Sequence, residues 1–383
     1  MQFVKEFRNP HLAEALLAQI NHVAQRIGCT RKRPVTVMEV CGGHTHTIFR
    51  YGLDRKLPDN IEFAHGPGCP VCVLPKGRIE DAITIAHRPD VILATFGDAM
   101  RVPGGSGSLL QARAAGADVR MVYSPLDALA LARANPERQV VFFALGFETT
   151  TPSTALTILR AHAENISNFS ILCQHITIIP TLRALLEQPD FNVDGFIGPG
   201  HVSMVIGTQP YAFIAQDFKR PLVVAGFEPL DILQSLLMVM KQIEAGDARI
   251  ENQYARVVAS QGNLAAMAAI EQVYEVRQAC EWRGLGQIAG SGLQLRAEWS
   301  HFDAEKRFAM QPHHLADQEQ CRCGDVLTGR IKPPQCQAFG RACSPDHPSG
   351  ALMVSSEGAC AAYYEYHGVG GLHNVRHFKW NWC

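Results

Sequence analysis

In VTVMEVCGGHTH (residues 35–46), a short apolar run rich in β-branched residues leads directly into a polar segment with two glycines. A continuous apolar run of this length is typical of a strand buried on both faces of a parallel sheet. Similar runs lie at residues 61–65, 91–96, 119–124, 140–145, 169–174, 195–198 and 222–226. Ala/Leu-rich helical stretches separate many of them, for example residues 126–135 and 153–165. This alternation predicts an α/β fold with mainly parallel sheets flanked by helices.

The predicted strands divide evenly about residue 125, with four before it and four after it. We therefore expect two similar α/β lobes, at residues 1–125 and 126–245. Residues 246–383 are expected to form a helical connector followed by a small Cys-rich domain. From residue 321 the chain is rich in Cys, Pro and Gly, and a small segment of that composition usually needs a metal or another staple.

Composition excludes several classes of protein. The chain has 383 residues, 47% of them hydrophobic, and a net charge of −1, which argues against a disordered chain and against a nucleic-acid binder that relies on a basic field. No apolar run approaches the roughly 20 residues that span a bilayer. The start, MQFVKEFRNP, lacks the apolar stretch of a signal peptide, so we expect a cytoplasmic protein. Twelve cysteines in a reducing compartment indicate metal binding or redox chemistry more than disulfides.

Polar motifs, most of them containing glycine, follow the predicted strands. They are CGGHTH (41–46), GPGCPVC (66–72), FGDAMRVPGG (96–105), GFETTTP (146–152), QHITIIP (174–180), GPGHVS (198–203) and GFEPLD (226–231). In open parallel sheets, ligands bind at the carboxyl ends of the strands, and glycines there allow the backbone to approach a ligand closely. The pattern predicts a functional cleft between the two lobes.

The first motif carries the densest chemistry. Cys41 ends a strand and is followed by Gly42, Gly43, His44 and His46, with one threonine between the histidines. We expect its thiolate to be exposed at the sheet edge and flanked by imidazoles, which stabilise a thiolate. A soft thiolate at this position is a candidate iron ligand, and the histidines are candidates for ligation or proton transfer.

Other side chains are expected to join this cleft. His175 and His201 follow strands of the second predicted lobe, and Glu148 and Asp98 are the best-placed carboxylates. The pair Cys69 and Cys72 forms a C-x-x-C motif in a Gly/Pro-rich loop, and such a pair can cycle between dithiol and disulfide.

The tail carries the spacing Cys323-x12-Cys336-x6-Cys343-x16-Cys360. Four thiolates fit either a tetrahedral zinc ion or a cubane iron–sulfur cluster, and the long, unequal gaps favour the cluster. Cys321 is an alternative first ligand. The remaining thiols are expected to be incidental: Cys29, Cys173, Cys280 and Cys383.

Taken together, these motifs resemble one family. CGGHTH, GPGCPVC, FGDAMRVPG, GFETT, PGHVS, GFEPLD, WRGLG (282–286) and the spacing of the tail cysteines resemble the HypD family of hydrogenase maturation factors. The resemblance runs from FVKEFRNP (3–10) to SSEGACAAYYEY (355–366).

The resemblance implies an iron–sulfur scaffold protein that assembles the Fe(CN)₂CO unit of [NiFe]-hydrogenases. It implies a complex with HypC and cyanide received from HypE, with HypF upstream. It implies one [4Fe–4S] cluster, held by the four cysteines of the tail spacing. By the same resemblance, Cys41 binds the transient Fe(CN)₂CO iron, which it shares with a HypC cysteine, and Cys69 and Cys72 are the family's C-x-x-C pair.

From these parts we expect a redox-active assembly scaffold rather than a conventional turnover enzyme, with no membrane or nucleic-acid partner. Cys69 and Cys72 would relay electrons between cluster and iron, while His44 and His46 would orient groups or move protons. Cys41, Gly42, Gly43, Glu148 and His201 would hold the iron unit. Two alternatives are a stand-alone thiol–disulfide oxidoreductase that uses the C-x-x-C pair, and a two-lobed binding protein with structural zinc in its tail.

Overall fold

The computed structural model describes residues 6–30, 32–317 and 319–368. Its strands are β1 (Val35–Glu39), β2 (Ile61–His65), β3 (Val91–Thr95), β4 (Val119–Met121), β5 (Gln139–Gly146), β6 (Phe169–His175), β7 (Gly195–Pro199), β8 (Leu222–Ala225), β9 (Ile250–Asn252), β10 (Tyr274–Trp282) and β11 (Gly286–Leu295). All eight runs predicted as strands form strands. Cys383 lies outside the described residues.

Two parallel sheets form the centre of the fold. The first has the strand order β2-β1-β7-β8-β9, and the second has the order β4-β3-β5-β6. Every neighbouring pair within them is parallel. The strands β1, β3 and β8 are buried along their whole length, as strands covered by helices on both faces must be. The predicted α/β class is confirmed.

The strands are not grouped as the expected boundary at residue 125 requires. β1 pairs with β7, so the first sheet combines strands from the beginning and the end of the α/β region. The second sheet is formed by the chain between them, residues 91–175. This corrects the division into lobes at residues 1–125 and 126–245. Apolar runs locate strands along a chain, but they do not say which strands pair.

Helices cover these sheets. They are α1 (Pro10–Ile27), α2 (Gly42–Arg50), α3 (Lys76–Ala86), α4 (Leu109–Ala114), α5 (Pro125–Ala134), α6 (Thr151–Ala163), α7 (Ile178–Leu186), α8 (Gly200–Ile206), α9 (Ala212–Gln216), α10 (Pro229–Ala245), α11 (Leu264–Val273), α12 (Ala304–Arg307), α13 (Cys323–Leu327) and α14 (Ala359–His367). The side chain of Asn9 caps α1 by accepting from the backbone of His11 and Leu12. Within the described part of the chain, none of the helices is long and apolar enough to cross a membrane.

The expected helical connector is instead dominated by a hairpin. β10 and β11 pair antiparallel across the turn at residues 283–285, where Gly284 adopts φ +76°. The register shifts between Arg277 and Ala279, so inward and outward positions do not alternate regularly along β10. That irregularity explains why the segment does not read as a strand from its sequence.

Candidate thiol and metal sites

The motifs at residues 41–46 and 66–72 meet at the carboxyl edge of the first sheet. Cys41 follows β1 and caps α2, and the amide of Gly42 donates to the carbonyl of Gly68 at 3.1 Å. A Cβ on Gly68 would lie 2.2 Å from the Cys41 amide nitrogen, so only glycine fits there. The structure thus brings the loop of the C-x-x-C pair against the backbone of Cys41.

Cys41 is enclosed rather than exposed. Cys41 is 6% exposed. The Glu357 side chain lies against the next residue, Gly42, where an added Cβ would approach Glu357 Cβ within 2.6 Å. Burial, then the carboxylates of Glu357 and Glu39, raise the pKa of the Cys41 thiol. The expected exposed thiolate flanked by imidazoles is therefore wrong. The tail segment that covers this edge comes from far along the chain, which local sequence does not show.

Glu39 organises the loop and was missed by sequence reasoning. It is fully buried, and its carboxylate accepts from the Cys41 amide at 3.0 Å and from His65 Nδ1 at 2.8 Å. The hydroxyl of Thr45 also donates to it. Three donors satisfy the buried carboxylate, as a buried charge requires. The available signal was an acidic residue inside the otherwise apolar run of β1.

His44 and His201 lie on either side of one aromatic ring. The His44 ring stacks on Phe227 with centroids 4.8 Å apart, and His201 stacks on the same residue at 3.8 Å. A Cβ on Gly43 would approach the Phe227 ring within 2.9 Å, which explains the second glycine of the motif. The structure thus brings these two histidines together around Phe227.

Only one nitrogen of His44 has a partner. Nε2 donates to the carbonyl of Ala225 at 3.2 Å, and buried Nδ1 has no hydrogen-bond partner among the described residues. Burial lowers the pKa of His44 to about 4, so the ring is neutral and Nδ1 presents a free lone pair. His46 points elsewhere, and its Nδ1 donates to the carbonyl of Ser356 at 3.3 Å.

Cys69 and Cys72 are both buried, and neither is in a disulfide. The Cys72 amide donates to Cys69 Sγ at 3.3 Å. Burial, followed by a hydrogen bond to Cys69, raises the pKa of the Cys72 thiol, and Glu357 and Cys323 add to the effect. A Cβ on Gly358 would lie 3.1 Å from Cys72 Sγ. The pair therefore lies beside the segment 355–360, in electrostatic contact with a tail cysteine.

Five tail thiols line one cavity. Its other walls are mainly apolar, including Phe339 and Leu352, and the cysteines are Cys321, Cys323, Cys336, Cys343 and Cys360. The Sγ atoms of Cys321 and Cys323 are 3.0 Å apart. A Cβ on Gly350 would approach those two sulfurs within 2.3 and 2.6 Å, so this glycine leaves space for them. The predicted cluster ligands converge, with Cys321 as a fifth thiol.

The arrangement of the tail thiols suits one kind of metal group better than another. Across residues 6–30, 32–317 and 319–368, no three His, Cys, Asp or Glu side chains are placed to hold one metal ion. A zinc ion draws all its ligands to a single point, whereas each cysteine of a cubane binds a different iron, so the thiols surround a larger object. Thiols spread around an apolar-walled cavity fit the donor set of a cluster.

Glu148 and Asp98 lie at the carboxyl edge of the second sheet. Glu148 is buried, its carboxylate accepts from the Ile178 amide at 3.1 Å, and burial raises its pKa to about 7. Burial also raises the pKa of Tyr211, and Glu148 and Cys41 both add to this, so the phenol is close to both. Burial raises the pKa of Glu357, and the exposed carboxylate of Asp98 raises it further. Tyr211 and Glu357 are therefore each in electrostatic contact with groups at the carboxyl edges of both sheets.

His175 does not join the other histidines. Its ring lies edge-on to Tyr274 of β10, with centroids 5.6 Å apart, and both ring nitrogens are buried without partners among the described residues. Cys173 and Cys280 are buried near the same hairpin, where Cys173 Sγ contacts the carbonyl of Leu293 at 3.3 Å. The expected place of His175 in the cleft is corrected, because β11 packs over the end of β6.

Comparison with known proteins agrees with these motifs. The family model HypD, described as "Hydrogenase formation hypA family", matches residues 11–367. The chain belongs to the HypD family. Two similar HypD-family proteins are the hydrogenase maturation factors HypD of Rhodobacter capsulatus, 61% identical over 373 residues, and of Escherichia coli (strain K12), 58% identical over 366 residues. The alignments cover 96% of this chain and 99% and 98% of those relatives. HypD membership gives the chain a role in hydrogenase maturation.

Proposed function

We propose that this HypD-family protein is a redox-active scaffold on which the Fe(CN)₂CO unit of [NiFe]-hydrogenases is assembled. The observation that carries the proposal is the order of the sulfur atoms in space. The tail thiols lie near Cys72, the C-x-x-C loop lies against Cys41, and the segment 355–360 contacts all three. An electron store, a dithiol and a metal-binding thiol thus occur in one continuous array.

The iron cargo is assigned to Cys41. Carboxylates beside this thiol disfavour a free thiolate, but they favour a thiolate that carries a cation, because the cation reverses the local charge. The proton must leave when iron binds. The free Nδ1 lone pair of His44 is a candidate second contact, and Gly42, Gly43 and His201 shape the surrounding space.

The resident cofactor is assigned to the tail cavity. Cys323, Cys336, Cys343 and Cys360 would hold a [4Fe–4S] cluster, with Cys321 beside them. When bound, the cluster supplies single electrons, the chemistry needed to return a disulfide to a dithiol.

The C-x-x-C pair is assigned the two-electron step. When cyanide leaves a thiocyanate-type carrier, the bond between sulfur and the cyanide carbon breaks and a bond from that carbon to iron forms. The carrier sulfur departs as a thiolate, which requires two electrons. Cys69 and Cys72 supply both by forming a disulfide, and they release two protons, one of which the carrier thiolate takes up.

Partners follow from the family. The relatives are hydrogenase maturation factors, and we assign HypC as the protein that shares the iron through a cysteine, and HypE as the cyanide donor, with HypF upstream. The proposed place of work is the cytoplasm, where thiols stay reduced. Burial of Cys69 and Cys72 disfavours the alternative of a stand-alone oxidoreductase, because a protein disulfide could not reach them.

Infrared spectroscopy of the anaerobically purified complex with HypC tests this function. We expect bands of iron-bound cyanide and carbonyl in the wild type and in Cys29→Ala, whose thiol lies outside both sites. Cys41→Ala is expected to lose all of them. Wild-type intensity in Cys41→Ala would show that the iron is held elsewhere.

A further inference from the structure

The turn of the β10–β11 hairpin carries a buried positive charge. The Arg283 side chain is 1% exposed, and its Nε lies 2.7 Å from Oδ1 of Asp317. Its Nη1 donates to the carbonyl of Pro103 at 3.3 Å, while buried Nε and Nη2 have no hydrogen-bond partner among the described residues, so the contact with Asp317 is an ion pair without a hydrogen bond. A buried guanidinium with a spare donor is costly unless negative charge lies nearby.

This turn lies between the C-x-x-C loop and the tail thiols. The Arg283 amide donates to the carbonyl of Val73 at 2.8 Å, one residue beyond Cys72. On the other side, the backbone of Gly284 touches that of Gly324, where a Cβ on Gly284 would lie 2.7 Å from the Gly324 nitrogen. Gly324 directly follows Cys323. The hairpin turn therefore holds Arg283 beside the backbone of the segment that carries Cys323.

The two charges of this ion pair are screened unequally. The Asp317 side chain is 25% exposed, so water screens its carboxylate, whereas the Arg283 side chain is 1% exposed. The positive charge therefore acts more strongly than the negative charge on the neighbouring segment that carries Cys323.

We propose that Arg283 sets the reduction potential of the cluster held by the tail thiols, by fixing a positive charge beside it. The inference rests on the proposed function, since it requires the cluster to be bound. Reduction adds an electron to a centre that already carries negative charge, so a nearby buried cation favours the reduced form and raises the potential. Arg283 is a positioning residue for charge and supplies no ligand.

The chain offers a matched control in Arg322. This arginine stands between Cys321 and Cys323, but its side chain is 53% exposed and pairs with Asp325. Replacing Arg322 removes the same charge as replacing Arg283, at a position directly next to the cluster ligand Cys323 in the sequence. If burial decides the effect, Arg283→Gln must shift the potential more than Arg322→Gln does.

The test is an anaerobic redox titration of the whole protein, followed by electron paramagnetic resonance of the reduced cluster. We expect a shift to more negative potential in Arg283→Gln, a smaller shift in Arg322→Gln, and a value near the wild type in Arg283→Lys. Asp317→Asn should shift the potential in the positive direction. Equal shifts in the two glutamine variants, or none in Arg283→Gln, would overturn the proposal.

The inference can still be tested if the Arg283→Gln protein does not fold. If Arg283→Gln fails to load a cluster, Asp317→Asn decides, and an unchanged potential there contradicts the role of this ion pair. A wild-type protein that binds no cluster would overturn the proposed function and this inference together. If the wild type binds a cluster and the Arg283 and Asp317 variants have the same reduction potential as the wild type, only the inference is overturned.

Discussion

The protein contains two sites built on cysteine, and their surroundings differ in charge. At the sheet edge, Cys41 is accompanied by buried Glu39 and by Glu357, which resist ionisation of the thiol. In the tail cavity, five thiols surround an apolar space next to the buried cation Arg283. The first site lacks enough thiols for a cluster and attracts a cation, which suits a transient iron cargo. The second supplies a full ligand set, which suits a resident cofactor.

One short segment joins the two sites. Glu357 acts on both Cys41 and Cys72, Gly358 packs on Cys72, and Cys360 lines the tail cavity. This segment leads into α14, which packs on α2, the helix that Cys41 caps. The two cysteine sites therefore differ in charge although they share the segment 355–360.

Two glycine variants should separate the sites. In Gly68→Ala the new Cβ meets the backbone of Cys41, which cannot move aside, so we expect a loss of about 1–3 kcal/mol or more in stability with the brown cluster absorbance retained. In Gly350→Ala the new Cβ meets the Cys321 and Cys323 thiols, so cluster absorbance should fall, with a smaller change in Tm. Thermal unfolding and visible absorbance of the same samples measure both effects.

Gly116→Ala is the control for these variants. Space around Gly116 is open, so alanine there meets no neighbouring atom and costs only the backbone strain of its φ of +104°. Its effect on Tm should be smaller than that of Gly68→Ala, and cluster content should not change. A Gly68→Ala protein that loses its cluster but keeps its Tm would show that the two sites are not distinct.

Thiol ionisation offers a finer test of the contrast. Because the pKa of Cys321 is about 7, its thiolate fraction should rise only about twofold from pH 7 to pH 9 and then level off. Burial raises the pKa of Cys29, a half-buried thiol, so its thiolate fraction should keep rising throughout this range without levelling off. Of these three thiols, Cys41 should react last, because burial and two carboxylates keep it protonated.

Alkylation rates of the cluster-free protein, followed by peptide mass spectrometry across this pH range, measure these profiles. Labelling of Cys41 as early as Cys321 would contradict the difference in charge between the sites. A Cys321 rate that keeps climbing in parallel with that of Cys29 would contradict the lowered pKa of the Cys321 thiol.

Sequence alone predicts eight of the eleven strands in the described residues, and it predicts the thiol groups, because both signals are local. Each buried strand is a continuous apolar run, and the tail spacing and the C-x-x-C pair are visible as written. The pairing of β1 with β7 is set by the course of the chain through a second sheet, so no local pattern reports it. The hairpin escapes prediction for another reason, because the bulge in β10 breaks the alternation by which an antiparallel strand is recognised.

The surroundings of the thiols were less predictable than the thiols themselves. Glu357 and Arg283 both belong to motifs that stand out in the sequence, SSEGAC and WRGLG. Their spacing does not say that Glu357 lies beside Cys41 or that Arg283 lies beside the segment that carries Cys323. Burial of Cys41 follows from this long-range contact with Glu357, so reasoning from the neighbouring histidines gave the wrong electrostatics.

The central claim is that electrons held at the tail thiols reach the C-x-x-C pair beside Cys41. The direct measurement starts from anaerobic protein in which Cys69 and Cys72 have been oxidised to a disulfide. A one-electron donor is added, and the free thiols of the peptide containing residues 66–75 are counted by alkylation. The account predicts that the wild type regains both thiols and that Cys360→Ala, which lacks a cluster ligand, does not. Equal recovery in the two proteins, or a wild-type disulfide that persists, would contradict it.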